Sequence, residues 1–211
     1  MNPYEASQKT ESLCRLAPVI PVLVVDDANI AQPLAEALIK GGLTVLEVTL
    51  RTPSALQVIS EMAKVQGGVV GAGTITKASD VTDAINAGAQ FGVSPGSTDD
   101  ILEACEQKKL PILPGAATSS EIMKFFNLGF SVQKFFPAEA AGGQSALKAI
   151  GGPLPHVKFC PTGGITYQNA KSYLQLQNTL CVGGSWVAPK NLIENKDWHG
   201  ITNLAKAASE I

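Results

Sequence analysis

The chain has 211 residues, 45% hydrophobic and 16% charged, with a formal net charge of -2. This is the composition of an ordinary globular protein with a sizeable core. It excludes the broad basic surface that nucleic acid or an anionic membrane would need, so an anionic ligand would have to be held by local groups.

Residues 1–16 have no apolar export segment and read as a short additional helix. The run APVIPVLVV (17–25) is too short to span a bilayer and contains Pro21. Cys14, Cys105, Cys160 and Cys181 lie far apart with no C-x-x-C pair, which reads as reduced thiols with packing roles in a cytoplasmic protein. His156 and His199 stand in separate polar stretches, which argues against a histidine-based zinc or iron site and leaves an all-carboxylate site open.

From residue 19 onward strand-like runs recur: VIPVLVV (19–25), TVLEVTL (44–50), VVGAGTI (69–75), FGVSP (91–95), PILPG (111–115), SVQKFFP (131–137), VKFCPTG (157–163) and TLCVGGS (179–185). Their starts are 25, 25, 22, 20, 20, 26 and 22 residues apart, enough each time for a strand, a helix and two short loops. The intervening segments read as helices. NIAQPLAEALIKGG (29–42) has helical apolar spacing and a closing Gly pair, and STDDILEACEQKK (97–109) has a Ser/Thr cap, early acids and a basic end. Strict alternation implies parallel strands with right-handed crossovers, and eight units are the number that closes a (β/α)8 TIM barrel. An open doubly wound sheet is the alternative, but no G-x-G-x-x-G or G-x-x-x-x-G-K-[ST] follows the first strand. With no linker or low-complexity tract, residues 1–211 read as one barrel domain, whose N-terminal helical extension (1–16) plugs the bottom of the barrel.

A barrel locates its chemistry at the C-terminal ends of the strands. Glu47, Thr49 and Arg51 are spaced by two and share one face of the second strand. An unpaired carboxylate against the apolar helices outside would cost several kcal/mol, so this face is the lumen. The two charges then serve catalysis, or form a Glu47–Arg51 ion pair with no catalytic duty. By the same logic Lys134 points inward with Val132 and Phe136. Surrounded by phenylalanine and near a cation such as Arg51, its ammonium form is disfavoured and a nucleophilic amine becomes accessible. The alternative is a stem that lines the core while the head reaches the rim. An amine that attacks a ketone to form an iminium needs a proton-transferring group beside it, and Glu47 suits that task. CPTGGIT (160–166) and CVGGSW (181–186) both end in a Gly pair beside a hydroxyl, at strands seven and eight, where barrels often bind phosphate. Simple tight turns are the alternative.

The motifs VLEVTLRT (45–52), GAGT (71–74), SPG (94–96), PGAATSSE (114–121), KFFPAEAAGG (134–143), FCPTGGI (159–165) and GGSW (183–186) resemble, in order and spacing, those of the 2-keto-3-deoxy-6-phosphogluconate (KDPG) aldolases, many of which also act on 4-hydroxy-2-oxoglutarate (KHG). The resemblance runs from about residue 17 to 190. It implies a class I lyase with Lys134 as the Schiff-base residue and Glu47 as the proton carrier. Arg51, Thr74, Pro95 and Phe136 would surround the pyruvate portion, and Thr162, Gly163, Gly164, Gly184 and Ser185 would hold the phosphate or the adjacent aldehyde portion. It implies no metal, no cofactor beyond the covalent intermediate, a phosphorylated 2-keto acid as substrate and a homotrimer. Ala117 stands where many members carry Ser, and Ala141 where Asn is common. Three rivals remain: a 2-keto-3-deoxy-6-phosphogalactonate aldolase, although Thr162 resembles the gluco-type enzymes; a metal-dependent pyruvate aldolase; and a phosphosugar-binding or isomerase barrel without Schiff-base chemistry.

Overall fold

Parallel strands close into a barrel in the computed structural model, which describes residues 1–211. The strands are β1 (Val19–Leu23), β2 (Val45–Thr49), β3 (Val69–Gly73), β4 (Phe91–Val93), β5 (Ile112–Leu113), β6 (Gly115–Ala116), β7 (Val132–Phe135), β8 (Lys158–Pro161) and β9 (Val182–Gly184). They hydrogen-bond in two arcs, β5-β4-β3-β2-β1-β9 and β6-β7-β8, with every pairing parallel. Pro114, which has no N–H to offer a ladder, separates β5 from β6 and makes them two halves of the fifth stave. The parallel bridge Thr162↔Gly183 brings β8 against β9 and completes the ring. Each of the eight runs expected from the sequence therefore holds a stave, and the fifth is interrupted at its proline.

The helices are α1 (Pro3–Cys14), α2 (Ala31–Lys40, after a 3-10 turn at Ala28–Ile30), α3 (Ala55–Met62), α4 (Ala78–Asn86), α5 (Asp99–Lys108), α6 (Ser119–Leu128), α7 (Gly143–Gly151), α8 (Tyr167–Leu174), α9 (Lys190–Glu194) and α10 (Trp198–Ser209). Their ends follow local chemistry. Thr118 and Glu121 form a reciprocal capping box at the start of α6, and Thr166 and Asn169 form one at the start of α8. Acids Asp99 and Asp100 open α5 and Lys108 closes it, in line with the helix dipole. No helix is long and apolar enough to cross a membrane.

Alternation along each strand divides the core into two parts. Outward residues such as Leu23, Leu46, Val48, Val70, Phe135 and Phe159 pack against the helices in one large cluster, with Phe135 and Phe159 edge-on at 6.1 Å between ring centroids. Inward residues Ile20, Val45, Phe91, Leu113, Val132, Cys160 and Cys181 fill the lower lumen. Helix α1 lies against β5 and β7 and adds Cys14 to that lumen cluster. Ser7 ties the helix to the barrel by accepting a hydrogen bond from Val132 N at 3.1 Å. Above this apolar floor the lumen turns polar.

Candidate active site

The polar half of the lumen is a cavity of about 280 Å³ at the C-terminal ends of the strands. Glu47 enters it from β2 and Lys134 from β7, at exposures of only 3% and 5%. The Lys134 Nζ donates to Glu47 Oε1 at 3.2 Å and lies 5.2 Å from the centroid of the Phe136 ring, a distance at which the ring face attracts a cation. Glycine makes this approach possible: a Cβ on Gly73 of the neighbouring β3 would stand 2.6 Å from Glu47 Cγ. Glu47 was expected beside Lys134 and stands there, whereas Arg51, expected near Lys134 or as an ion-pair partner of Glu47, pairs with neither. Arg51 sits two residues further along, at the exposed rim, and takes part in no ion pair within the protein. Its Nε donates to Thr49 Oγ1 at 3.2 Å, and that hydroxyl in turn donates to Leu23 O at 2.8 Å, so the guanidinium is braced over the cavity from below.

The other walls come from successive strand ends. Thr74, just past β3, has φ 64, a left-handed conformation rare for a β-branched residue and typical of positions held by their surroundings for function. Pro95 is set by Ser94, whose single hydroxyl proton has Ile75 O at 2.8 Å and Gly96 O at 2.6 Å within hydrogen-bond reach. Beyond β8, Thr162, Gly163, Gly164 and Ile165 form the opposite lip, with Ser185 from the end of β9 beside them. The carbonyls of this lip are occupied from behind: Thr162 O by Ala138 N at 2.8 Å, Gly163 O by Glu139 N at 3.1 Å and Gly164 O by Asn169 Nδ2 at 3.1 Å. The N–H groups of Gly163, Gly164 and Ile165 have no partner within the protein, and successive N–H groups of this kind form an anion-binding concavity.

Of the residues singled out in the sequence, all line this cavity except Gly184. In β9 it is Gly183 that faces inward, where a Cβ would collide with Thr162, while Gly184 faces out beneath the Trp186 indole. Alternation counted from the inward Cys181 carries that signal. The sequence reading placed Thr49 on the lumen face with Glu47 without giving it a role and did not single out Val22 or Ile165; all three line the cavity. No group of three or more His, Cys, Asp or Glu side chains is arranged to hold a metal ion.

A (β/α)8 barrel that buries a lysine against a carboxylate, with a guanidinium and a run of unpaired N–H groups on one lip of its mouth, defines an enzyme of the class I type, which works through a covalent lysine adduct. A family model described as KDPG and KHG aldolase matches residues 10–204. The chain belongs to the KDPG/KHG aldolase family. It is 51% identical over 192 residues to the 2-dehydro-3-deoxy-phosphogluconate aldolase of Pseudoalteromonas atlantica, covering 90% of this chain and 89% of that one. Among solved structures, it is similar to the 2-keto-3-deoxy-6-phosphogluconate aldolase of Zymomonas mobilis ZM4 with 3-phosphoglycerate, at 49% identity and TM-score 0.92, over 96% of each chain. It is similar also to the Legionella pneumophila KDPG aldolase with pyruvate captured as a covalent carbinolamine, at 46% identity and TM-score 0.91, over 94% of this chain and 97% of that one.

Proposed function

We propose that this protein is a class I aldolase, a lyase that reversibly cleaves KDPG to pyruvate and glyceraldehyde 3-phosphate and also cleaves KHG to pyruvate and glyoxylate. The observation that carries the reading is the buried Lys134–Glu47 contact of 3.2 Å beneath Arg51. In cleavage, the Lys134 amine adds to C2 of the 2-keto acid, water leaves, and the resulting iminium draws the electrons of the C3–C4 bond as the aldehyde departs. Glu47, through a water molecule, takes the C4 hydroxyl proton and returns a proton to C3 of the enamine, and hydrolysis then frees pyruvate. Because Nζ and Oε1 are already within hydrogen-bond reach, a proton can pass between them without rearrangement. Arg51 and Thr74 hold the carboxylate so that the ketone faces the amine, with Pro95 and Phe136 as the walls of that pocket. Thr162, the N–H groups of Gly163, Gly164 and Ile165, and Ser185 receive the phosphate end.

The test is to add pyruvate, reduce with borohydride and map the product by mass spectrometry. One reduced pyruvate on the peptide carrying Lys134 is the expected result, and an unmodified Lys134 would leave only a phosphosugar-binding or isomerase barrel, or a metal-dependent aldolase that EDTA would inhibit.

The same reading gives a homotrimer in the cytoplasm. Exposed apolar side chains support self-association: Met123 and Phe126 stand one turn apart on α6 at 50% and 37% exposure, and the backbone of Tyr4, a residue 62% exposed, lies beside Gly129 at the end of α6. Light scattering after size-exclusion chromatography should give three times the chain mass of 22.0 kDa, and a monomer would refute the trimer. Recovery outside the cytoplasmic fraction of the cell would refute the location.

A further inference from the structure

Glu139 presents a difficulty for a phosphate site. It belongs to the loop that follows β7, and its side-chain stem lies directly behind Gly164, where a Cβ would stand 2.6 Å from Glu139 Cγ, so that an exposed carboxylate is carried close to the lip. A free carboxylate so near a bound phosphate would oppose binding. This one is not free. Tyr173 on α8 is fully buried and its hydroxyl donates to Glu139 Oε1. Burial, and then the hydrogen bond itself, push the Tyr173 hydroxyl above its usual range, so it remains a donor throughout the range in which the enzyme would work.

Glu139 therefore connects three elements. Its N–H holds Gly163 O at 3.1 Å, its side-chain stem lies against Gly164, and its carboxylate is anchored to α8. Gly163 and Gly164 have φ of 100 and 79, conformations in which the chain has ready alternatives, so the lip does not hold its own shape. Gly143 at the start of α7 leaves room for the anchor: a Cβ there would stand 3.2 Å from the Tyr173 hydroxyl and 3.3 Å from Glu139 Oε1.

We propose that the Glu139–Tyr173 hydrogen bond is a positioning device for the phosphate subsite, bracing Gly164 from behind so that the N–H groups of Gly163, Gly164 and Ile165 stay turned into the cavity. Glu139 and Tyr173 are positioning residues, remote from the bonds that form and break at Lys134. The inference rests on the reading that this lip receives the substrate phosphate.

Two substrates separate a brace for phosphate from a general structural contact, since KDPG carries a phosphate and KHG does not. In Tyr173→Phe and Glu139→Ala, KM for KDPG should rise about tenfold, the size of effect expected from loss of one hydrogen bond to a charged group. Competitive inhibition by inorganic phosphate should weaken in parallel. KM and kcat for KHG should stay within about twofold of the parent, and the borohydride-trapped pyruvate adduct should form as in the parent. Glu139→Gln retains an oxygen that accepts from Tyr173 and should restore most of the KDPG affinity. Equal losses on both substrates would reduce the pair to a structural contact and overturn the proposal, as would unchanged KM for KDPG. If the parent itself were indifferent to inorganic phosphate, and its affinity did not depend on the phosphate of KDPG, the phosphate reading of the lip would fail instead.

Discussion

Lys134 and Glu47 meet with almost no access to water, and such a pair is a poor stabiliser. Desolvating both charges offsets their attraction, and well-packed apolar residues in their place are often neutral or better. Removing one partner is different, because it leaves the other charge buried and uncompensated. Lys134→Ala is thus expected to eliminate turnover and to lower unfolding free energy by about 3 kcal/mol. The double substitution Lys134→Met with Glu47→Leu should recover most of that stability while remaining inactive. Urea titration of the three proteins checks this, and a Lys134→Ala protein as stable as the parent would show that Glu47 is not left as a buried charge. Glu47→Gln keeps the shape and should slow turnover roughly 10²–10⁴-fold. Both residues were legible in the sequence, since a charge at an alternating position of an apolar strand has only the lumen in which to go. That Glu47 should stand beside Lys134 followed from the chemistry of the iminium and not from the strand pattern, which does not itself show the contact. The contact joins positions 87 apart in sequence across the barrel, and strand alternation gives the face of a side chain without its partner.

At the scale of elements, the eight staves were legible because each apolar run is followed by a segment of different period, while the purposes of their glycines were not. The GAG of β3 entered the sequence reading only as part of the run VVGAGTI (69–75) and of the GAGT motif (71–74). In the barrel Gly71 makes room for the Phe91 ring and Gly73 for the Glu47 side chain, so the absence of side chains on one strand allows long ones on its neighbours. Likewise, a Gly pair does not announce which member points inward, and the phase of β9 assigns that place to Gly183. Gly73 does not have positive φ, so its backbone tolerates a side chain, and the nearest conflicts are all with Glu47. Gly73→Ala should therefore displace the carboxylate from Lys134 and lower kcat by about 10²-fold, as misplacement by an ångström can do. The trapped Lys134 adduct should still form, more slowly. Parental kcat in this variant, measured by steady-state assay, would mean that Glu47 does not need its observed position.

At the scale of the whole molecule, the cysteines complete the separation between a reactive mouth and an inert floor. They are scattered in sequence, and only barrel closure brings Cys14, Cys160 and Cys181 into one lumen cluster. Hydrogen bonds with Cys14 and Cys160, and then burial, push the Cys181 thiol up. On the buried face of α5, outside the lumen cluster, burial pushes Cys105 up to about 12 from an ordinary 9.0. The raised thiols of Cys105 and Cys181 favour the protonated form and do not compete with the lysine for the substrate carbonyl. The same shifts tie stability to alkaline pH. An unfolded thiol releases its proton near 9.0, whereas folded Cys105 keeps its proton until about 12. Over that window the unfolded chain binds fewer protons than the folded one, so stability that is complete below pH 9 falls as pH rises toward 12. The slope for each such group is about 1.4 kcal/mol per pH unit. Urea midpoints measured from pH 8 to about pH 10.5, where the ordinary thiol has fully titrated, should decline steadily, and Cys105→Ala should make that decline shallower. A midpoint independent of pH across this range, or a Cys105→Ala protein with the parent's slope, would show that the folded thiol ionises as readily as the unfolded one.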